Sequence, residues 1–159
     1  MIFVTVGSQK FQFDRLLRAI DEQIASGKMR EEIFAQIGFS AYRPKNYAFA
    51  DFLDRDDFEK KVLDAEIVIT HGGTGAIVGT LKKGKKVIAV PRLAKFGEHV
   101  DDHQLQIIGQ FGAHQMICAC YEPEKLYEAI IKARQTDYVP DESNTEKFID
   151  NIRAYINKL

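Results

Sequence analysis

The stretch Val68-Ile69-Thr70-His71-Gly72-Gly73-Thr74-Gly75 constrains this chain most. An apolar run enters a turn rich in glycine, and a helix-like segment over residues 76–83 follows. A strand that ends in a glycine turn and opens a helix leaves backbone N–H groups unpaired at the positive end of the helix. Such an end suits an anion. A side chain at Gly72, Gly73 or Gly75 would keep a phosphate away from the backbone. An ordinary tight strand-to-helix turn also uses glycine, so the turn alone leaves both readings open.

The rest of the chain alternates in the same way. Residues 2–6 form a near-continuous apolar run, as in a strand buried on both faces. Phe13, Leu16, Leu17, Ile20 and Ile24 then recur at helical spacing until Gly27. Strands are expected over 32–38, 47–53, 66–70, 87–90 and 115–119, and helices over 56–65, from an N-cap at Asp101 to near Gly112, and over 124–134. Asp54 or Asp56 is a candidate N-cap for the second helix, and Gly84 ends the third. Asp101 with Gln104 has capping-box spacing. A last amphipathic helix carries Phe148, Ile149, Ile152, Tyr155, Ile156 and Leu159. Its apolar face reads equally as core or as a subunit interface. This order predicts a single α/β domain over residues 1–159, a Rossmann-like parallel sheet flanked by helices. Ligands in such sheets sit outside the carboxyl ends of the strands, where Gly7-Ser8-Gln9, Gly38-Phe39-Ser40, the glycine turn and Pro91-Arg92 gather.

Composition narrows the function classes. The length of 159 residues suits one domain with a real core and is short for two. A net charge of −1 argues against wholesale nucleic-acid binding. No apolar run approaches the ~20 residues of a membrane helix. The apolar N-terminus lacks a basic flank and reads as a strand, not a leader. Cys118 and Cys120 match no zinc or redox spacing, which fits a reducing, cytoplasmic setting.

The first strand is followed by Gly7-Ser8-Gln9-Lys10-Phe11, which is neither a dinucleotide fingerprint nor a P-loop. His71 could donate to a phosphate or a substrate hydroxyl, or be satisfied by a neighbouring loop. Arg92 and Lys95 could neutralise a diphosphate, or be solvated loop cations; the adjacent Phe96 and Gly97 favour the first. His99 and His103 are four residues apart, a metal spacing on a helix, but Asp101 as N-cap would leave His99 outside. No second cluster completes a shell, so no metal is expected. Lys82, Lys83, Lys85 and Lys86 read as a solvated helix end, with a weak contact to anionic lipid heads as the other reading.

Several of these segments together resemble a known family. They are Met1 to Ser8, Phe13-Asp14-Arg15-Leu16, Ile69 to Gly75, Val90-Pro91-Arg92, and Lys95-Phe96-Gly97-Glu98-His99-Val100-Asp101-Asp102-His103-Gln104. They resemble the C-terminal domain of family 28 glycosyltransferases, above all the small PssE-type proteins of exopolysaccharide and capsule synthesis. The resemblance runs over nearly the whole chain, and the run from Phe96 to Gln104 is its most specific part. It implies the C-terminal half of a GT-B enzyme, with the acceptor-binding half on a separate, membrane-anchored PssD-like subunit. It also implies a UDP-sugar donor, a polyprenyl-diphosphate-linked acceptor, inversion at the anomeric carbon and no cofactor. The chain would then work in the cytoplasm, recruited to the inner face of the membrane by its partner.

By the same resemblance, Gly72, Gly73, Thr74 and Gly75 would bind the diphosphate, with Gly7 and Ser8 lining the pocket. Phe52 and Leu53 would meet the uracil through their main chain. His103 and Gln104 would read the donor sugar, within a donor-binding segment that also holds Lys95, Glu98 and His99. His71 and Arg92 would stabilise the departing UDP, while the base for the acceptor lies on the partner. The family's ribose-binding glutamate falls at Gly79 here, which leaves that contact open. A non-catalytic enhancer that stabilises or activates a membrane-bound glycosyltransferase would share most of these features.

Overall fold

The computed structural model describes residues 1–138 and, beyond them, Lys147, Asp150, Asn151, Arg153 and Ala154. The apolar residues of the expected last helix, Phe148, Ile149, Ile152, Tyr155, Ile156 and Leu159, lie outside the described residues. The strands are β1 (Ile2–Thr5), β2 (Ile33–Gln36), β3 (Ala48–Ala50), β4 (Ile67–His71), β5 (Lys86–Val90) and β6 (Cys118–Ala119). The α-helices are α1 (Asp14–Ala25), α2 (Arg55–Asp64), α3 (Thr74–Lys82), α4 (His103–Ala113) and α5 (Leu126–Gln135).

All six strands are parallel, in the order β3-β2-β1-β4-β5-β6. The order turns around between β1 and β4, which opens a crevice at their carboxyl ends. Gly7-Ser8 leaves β1 there and Gly72-Gly73 leaves β4 there. The expected α/β sheet is the observed fold.

The apolar runs explain the two layers. Successive side chains of a strand point to opposite faces. Ile2, Val4, Ile67, Ile69, Ile88 and Val90 pack on one face with Leu16, Leu17 and Ile20 of α1 and Ile130 and Ala133 of α5. On the other face Val87 and Ala89 meet Ile77 and Val78 of α3 and Ile107, Ile108 and Phe111 of α4. There Phe3 and Val68 meet Val62 of α2. Buried on both faces, the central strands show no hydrophobic alternation.

Helix ends depart from the expected pattern in instructive ways. Asp54 caps α2, its Oδ1 accepting the Asp57 N–H at 2.8 Å. The capping box on α4 does not form. Asp101 Oδ1 instead accepts the His103 N–H at 3.0 Å, Asp102 Oδ1 accepts the Ala94 N–H at 2.8 Å, and Gln104 turns inward. The sixth strand is only Cys118–Ala119, because the chain first turns through a left-handed Gln115 (φ 57°). Two of the four lysines around Gly84 serve neighbouring helices. Lys85 Nζ donates to Leu63 O in the last turn of α2 at 2.7 Å. Lys86 Nζ donates to Ala133 O near the end of α5 at 2.9 Å. Carbonyls at helix ends lack intrahelical partners, so a lysine there satisfies them.

Candidate functional site: the crevice between β1 and β4

Two hollows flank the turn-around point of the sheet. The first, of about 380 Å³, is lined by Gly7 and Ser8 after β1, by Gln36 at the end of β2, by Phe52 and Leu53 after β3, and by Ala76 of α3. The second, also about 380 Å³, is lined by His71, Gly72 and Gly73, and by His99, His103 and Gln104. The first turn of α3 runs from one hollow to the other, since Gly73 belongs to the second and Ala76 to the first. Its N–H groups precede the first intrahelical bond, from Ile77 N–H to Gly73 O at 3.1 Å. Gly73 caps this helix with extended backbone and no side-chain acceptor. The end of α3 is thus open to an anion.

Glycine at Gly72 and Gly73 answers a packing demand, not only ligand access. A Cβ on Gly72 would lie 2.7 Å from Gln104 Cβ. One on Gly73 would overlap the His71 ring. A Cβ on Gly75 would meet nothing within 4 Å.

His71 closes β4 and is only 7% exposed. Its Nδ1 accepts the Gly73 N–H at 3.1 Å. Burial pushes its pKa down from 6.5 to about 3, with the Arg92 and then the His99 charge adding to the shift. The ring is therefore neutral in the folded chain at physiological pH. Above pH 6.5 it is neutral in the unfolded chain as well. Below pH 6.5 the unfolded chain binds a proton that the folded chain refuses, so stability falls with pH until about pH 3. At pH 5 the loss from this ring amounts to about 2 kcal/mol. Urea melts of the wild type and His71→Gln at pH 7 and pH 5 check this. The wild type should lose about 2 kcal/mol more than the variant on acidification.

Arg92 is not a cation on the rim. It is 0% exposed, and its Nη2 donates to Val6 O at 2.6 Å and to Phe11 O at 3.2 Å. Its guanidinium stacks 5.3 Å from the Phe13 ring centroid. Burial lowers its pKa to about 10, against the pull of Glu98, so the side chain stays charged at neutral pH. The expectation that Arg92 meets the diphosphate is therefore corrected: the side chain holds the loops after β1 and cannot reach the crevice from this position.

Glu98 is corrected in the same way. It is 0% exposed and forms a two-pronged ion pair with Arg15, at 3.0 Å from Nε and 3.0 Å from Nη2. Its Oε1 also accepts the Leu93 N–H at 2.9 Å. Glu98 is the internal anchor of the loop after β5. Lys95 is exposed on that loop beside Phe96 and lines neither hollow. His99 lies before α4, against Phe11 and Asp101, so it shares no helix face with His103. Among the described residues no group of three or more His, Cys, Asp or Glu could hold a metal.

Gln104 is 4% exposed and spends its side chain inside the protein. Its Oε1 accepts the Gly72 N–H at 2.9 Å and the Arg92 N–H at 2.9 Å. Sequence reasoning missed Arg55, Glu59 and Lys83, which line the first hollow. Arg55 and Glu59 are one turn apart on α2, and Lys83 is two turns beyond Ala76. Those spacings were visible, but the proximity of α2 to α3 was not.

A family model for the glycosyltransferase family 28 C-terminal domain matches residues 1–158. This chain belongs to that family. The human UDP-N-acetylglucosamine transferase subunit ALG13 is 28% identical over 130 residues, 75% of this chain and 11% of that protein. The mouse protein of the same name is 27% identical over 128 residues, 74% of this chain and 10% of that protein. The family 28 domain thus spans about a tenth of the curated relatives it matches. Its backbone superposes on the glycosyltransferase of kitacinnamycin with a TM-score of 0.61 at 15% identity, covering 99% of this chain and 39% of that one. The Acinetobacter baumannii MurG gives 0.54 at 19% identity, covering 95% of this chain and 49% of that one. These likenesses place the family 28 domain on the C-terminal half of the GT-B fold.

Proposed function

We propose that this domain binds a UDP-sugar in the crevice between β1 and β4 and serves as the donor half of a two-component inverting glycosyltransferase. The observation that carries the reading is the open first turn of α3 between two hollows. The uracil and ribose occupy the hollow of Ser8, Phe52 and Leu53, where Glu59 is a carboxylate for the ribose hydroxyls. The diphosphate spans Gly73, Thr74 and Gly75, and the sugar enters the hollow of His71, His99 and His103. The departing UDP is stabilised by the α3 amides and by His71. The human relative is named as a transferase subunit, which supports a divided enzyme.

The acceptor half is a membrane-anchored PssD-like subunit that supplies the base. The reaction transfers galactose, glucose or GlcNAc to a polyprenyl-diphosphate-linked sugar in exopolysaccharide or capsule synthesis. Among the described residues no helix is long and apolar enough to cross a membrane, and the partner recruits the domain to the inner face.

Gly75→Asp tests the site cleanly. A Cβ there meets nothing, and an acidic residue in the first turn favours the helix by about 0.3–1 kcal/mol. The same carboxylate repels a diphosphate. Calorimetric titration with UDP should show binding at least about tenfold weaker in the variant, with an unchanged or higher melting temperature. With the partner subunit co-expressed, transfer from a panel of UDP-sugars should fall in parallel. Equal transfer by wild type and Gly75→Asp would instead support an enhancer whose partner holds the donor.

A further inference from the structure

We infer that Gln104 is a positioning residue that makes His71 carry its ring proton on Nε2 and present that N–H to the gap between Gly7 and Gly73. The argument starts from groups whose roles cannot change. The backbone N–H groups of Gly72 and Arg92 can only donate, and both reach the same oxygen of Gln104, at 2.9 Å and 2.9 Å. The carboxamide orientation is thereby fixed, and its NH2 end lies 3.4 Å from His71 Nδ1. The Gly73 N–H lies on the same nitrogen at 3.1 Å. Two donors converge on Nδ1, so Nδ1 is the acceptor and the proton of the neutral ring sits on Nε2.

The glycines show where Nε2 lies. A Cβ on Gly7 would come 2.7 Å from Nε2, and one on Gly73 would come 3.1 Å from it. The ring fills the space that the two missing side chains leave. Around it stand Arg92 from the loop after β5, and His99, Asp101 and His103 along the same hollow. Asp101 Oδ1 already takes the His103 N–H and lies 3.1 Å from His99 Nδ1. Gln104 therefore acts on a ligand through His71, apart from any contact it makes in the hollow it lines. That His71 donates to a donor phosphate rests on the function proposed above; the position of the ring proton does not.

The test is a two-bond 1H–15N spectrum of the full chain with labelled histidine at neutral pH, with His71 assigned from His71→Gln. The expected pattern has Nε2 protonated and Nδ1 bare. A proton on Nδ1 overturns the inference. Gln104→Glu keeps one oxygen for the two backbone donors and turns the other, an acceptor, toward Nδ1. It should move the proton to Nδ1 or charge the ring; an unchanged His71 pattern in the folded variant overturns the role of Gln104. Should Gln104→Glu not fold, Gln104→Leu serves: its His71 signals should shift toward the Nδ1–H form, and identical signals overturn the role. In parallel, UDP titration should be about tenfold weaker for Gln104→Glu, the loss of one hydrogen bond to a charged group. A wild type with Nε2–H that fails to bind UDP contradicts the proposed function and leaves the tautomer standing. A wild type that binds UDP with Nδ1 protonated does the reverse.

Discussion

Arg92→Ala is expected to destabilise the domain by about 3 kcal/mol, the cost of a buried large-to-small change with lost hydrogen bonds. The side chain fills space against Phe13, and its Nη2 satisfies the carbonyls of Val6 and Phe11. Alanine leaves a void and two buried acceptors without their donor. One term opposes this loss. Arg92 Nε and Nη1 are buried without a hydrogen-bond partner, so removing the charge relieves a desolvation penalty. Arg92→Met separates the terms, because it fills most of the void and removes the charge. Methionine should cost about 1–2 kcal/mol, the share of the two carbonyls less the relief. Urea melts measure both. If the alanine variant is as stable as wild type, the guanidinium has no structural role and the rim reading of Arg92 returns.

Gly7→Ala should destabilise by about 2–4 kcal/mol, from two sources. Gly7 sits at φ +79°, where an L side chain is strained. Its added Cβ would also press on His71 Nε2 at 2.7 Å. Gly73→Ala presses on the same ring, but from ordinary extended backbone (φ −76°). The two substitutions should therefore respond differently to removal of the ring. In a His71→Ala background, Gly73→Ala should lose most of its cost. Gly7→Ala should keep the backbone share, about 1 kcal/mol or more. Double-mutant cycles by thermal or urea melts measure this coupling. Equal relief for both variants would show that the φ of Gly7 does not matter.

The sheet was legible because parallel strands covered on both faces must be apolar throughout, and residues 2–6 and 66–70 carry that mark. Helix spacing placed α1, and the glycine turn placed α3 and the crevice. The roles of long polar side chains were not legible. Arg92, Glu98 and Gln104 all sit in a segment that reads as a ligand-binding loop. Each is buried because its partner comes from far along the chain, as Glu98 meets Arg15 and Gln104 meets Gly72. Local pattern has no means of showing a contact 83 residues away. The capping box failed for the same reason, since Gln104 had better partners than its own helix end.

The loop after β5 has one more consequence. The N–H groups of Leu93, Ala94, Phe96, Gly97 and Glu98 all donate within the segment, to Glu98 Oε1, Asp102 Oδ1 or the carbonyls of Leu93 and Ala94. Lys95, Phe96 and Gly97 are nevertheless exposed. The segment that leads to His99 and Asp101 of the second hollow is thus held by its own hydrogen bonds. Freezing a loose loop costs roughly 1–2 kcal/mol per residue of backbone entropy. Here that entropy is lost when the chain folds, so a ligand that reaches His99 and Asp101 need not order the loop that carries them.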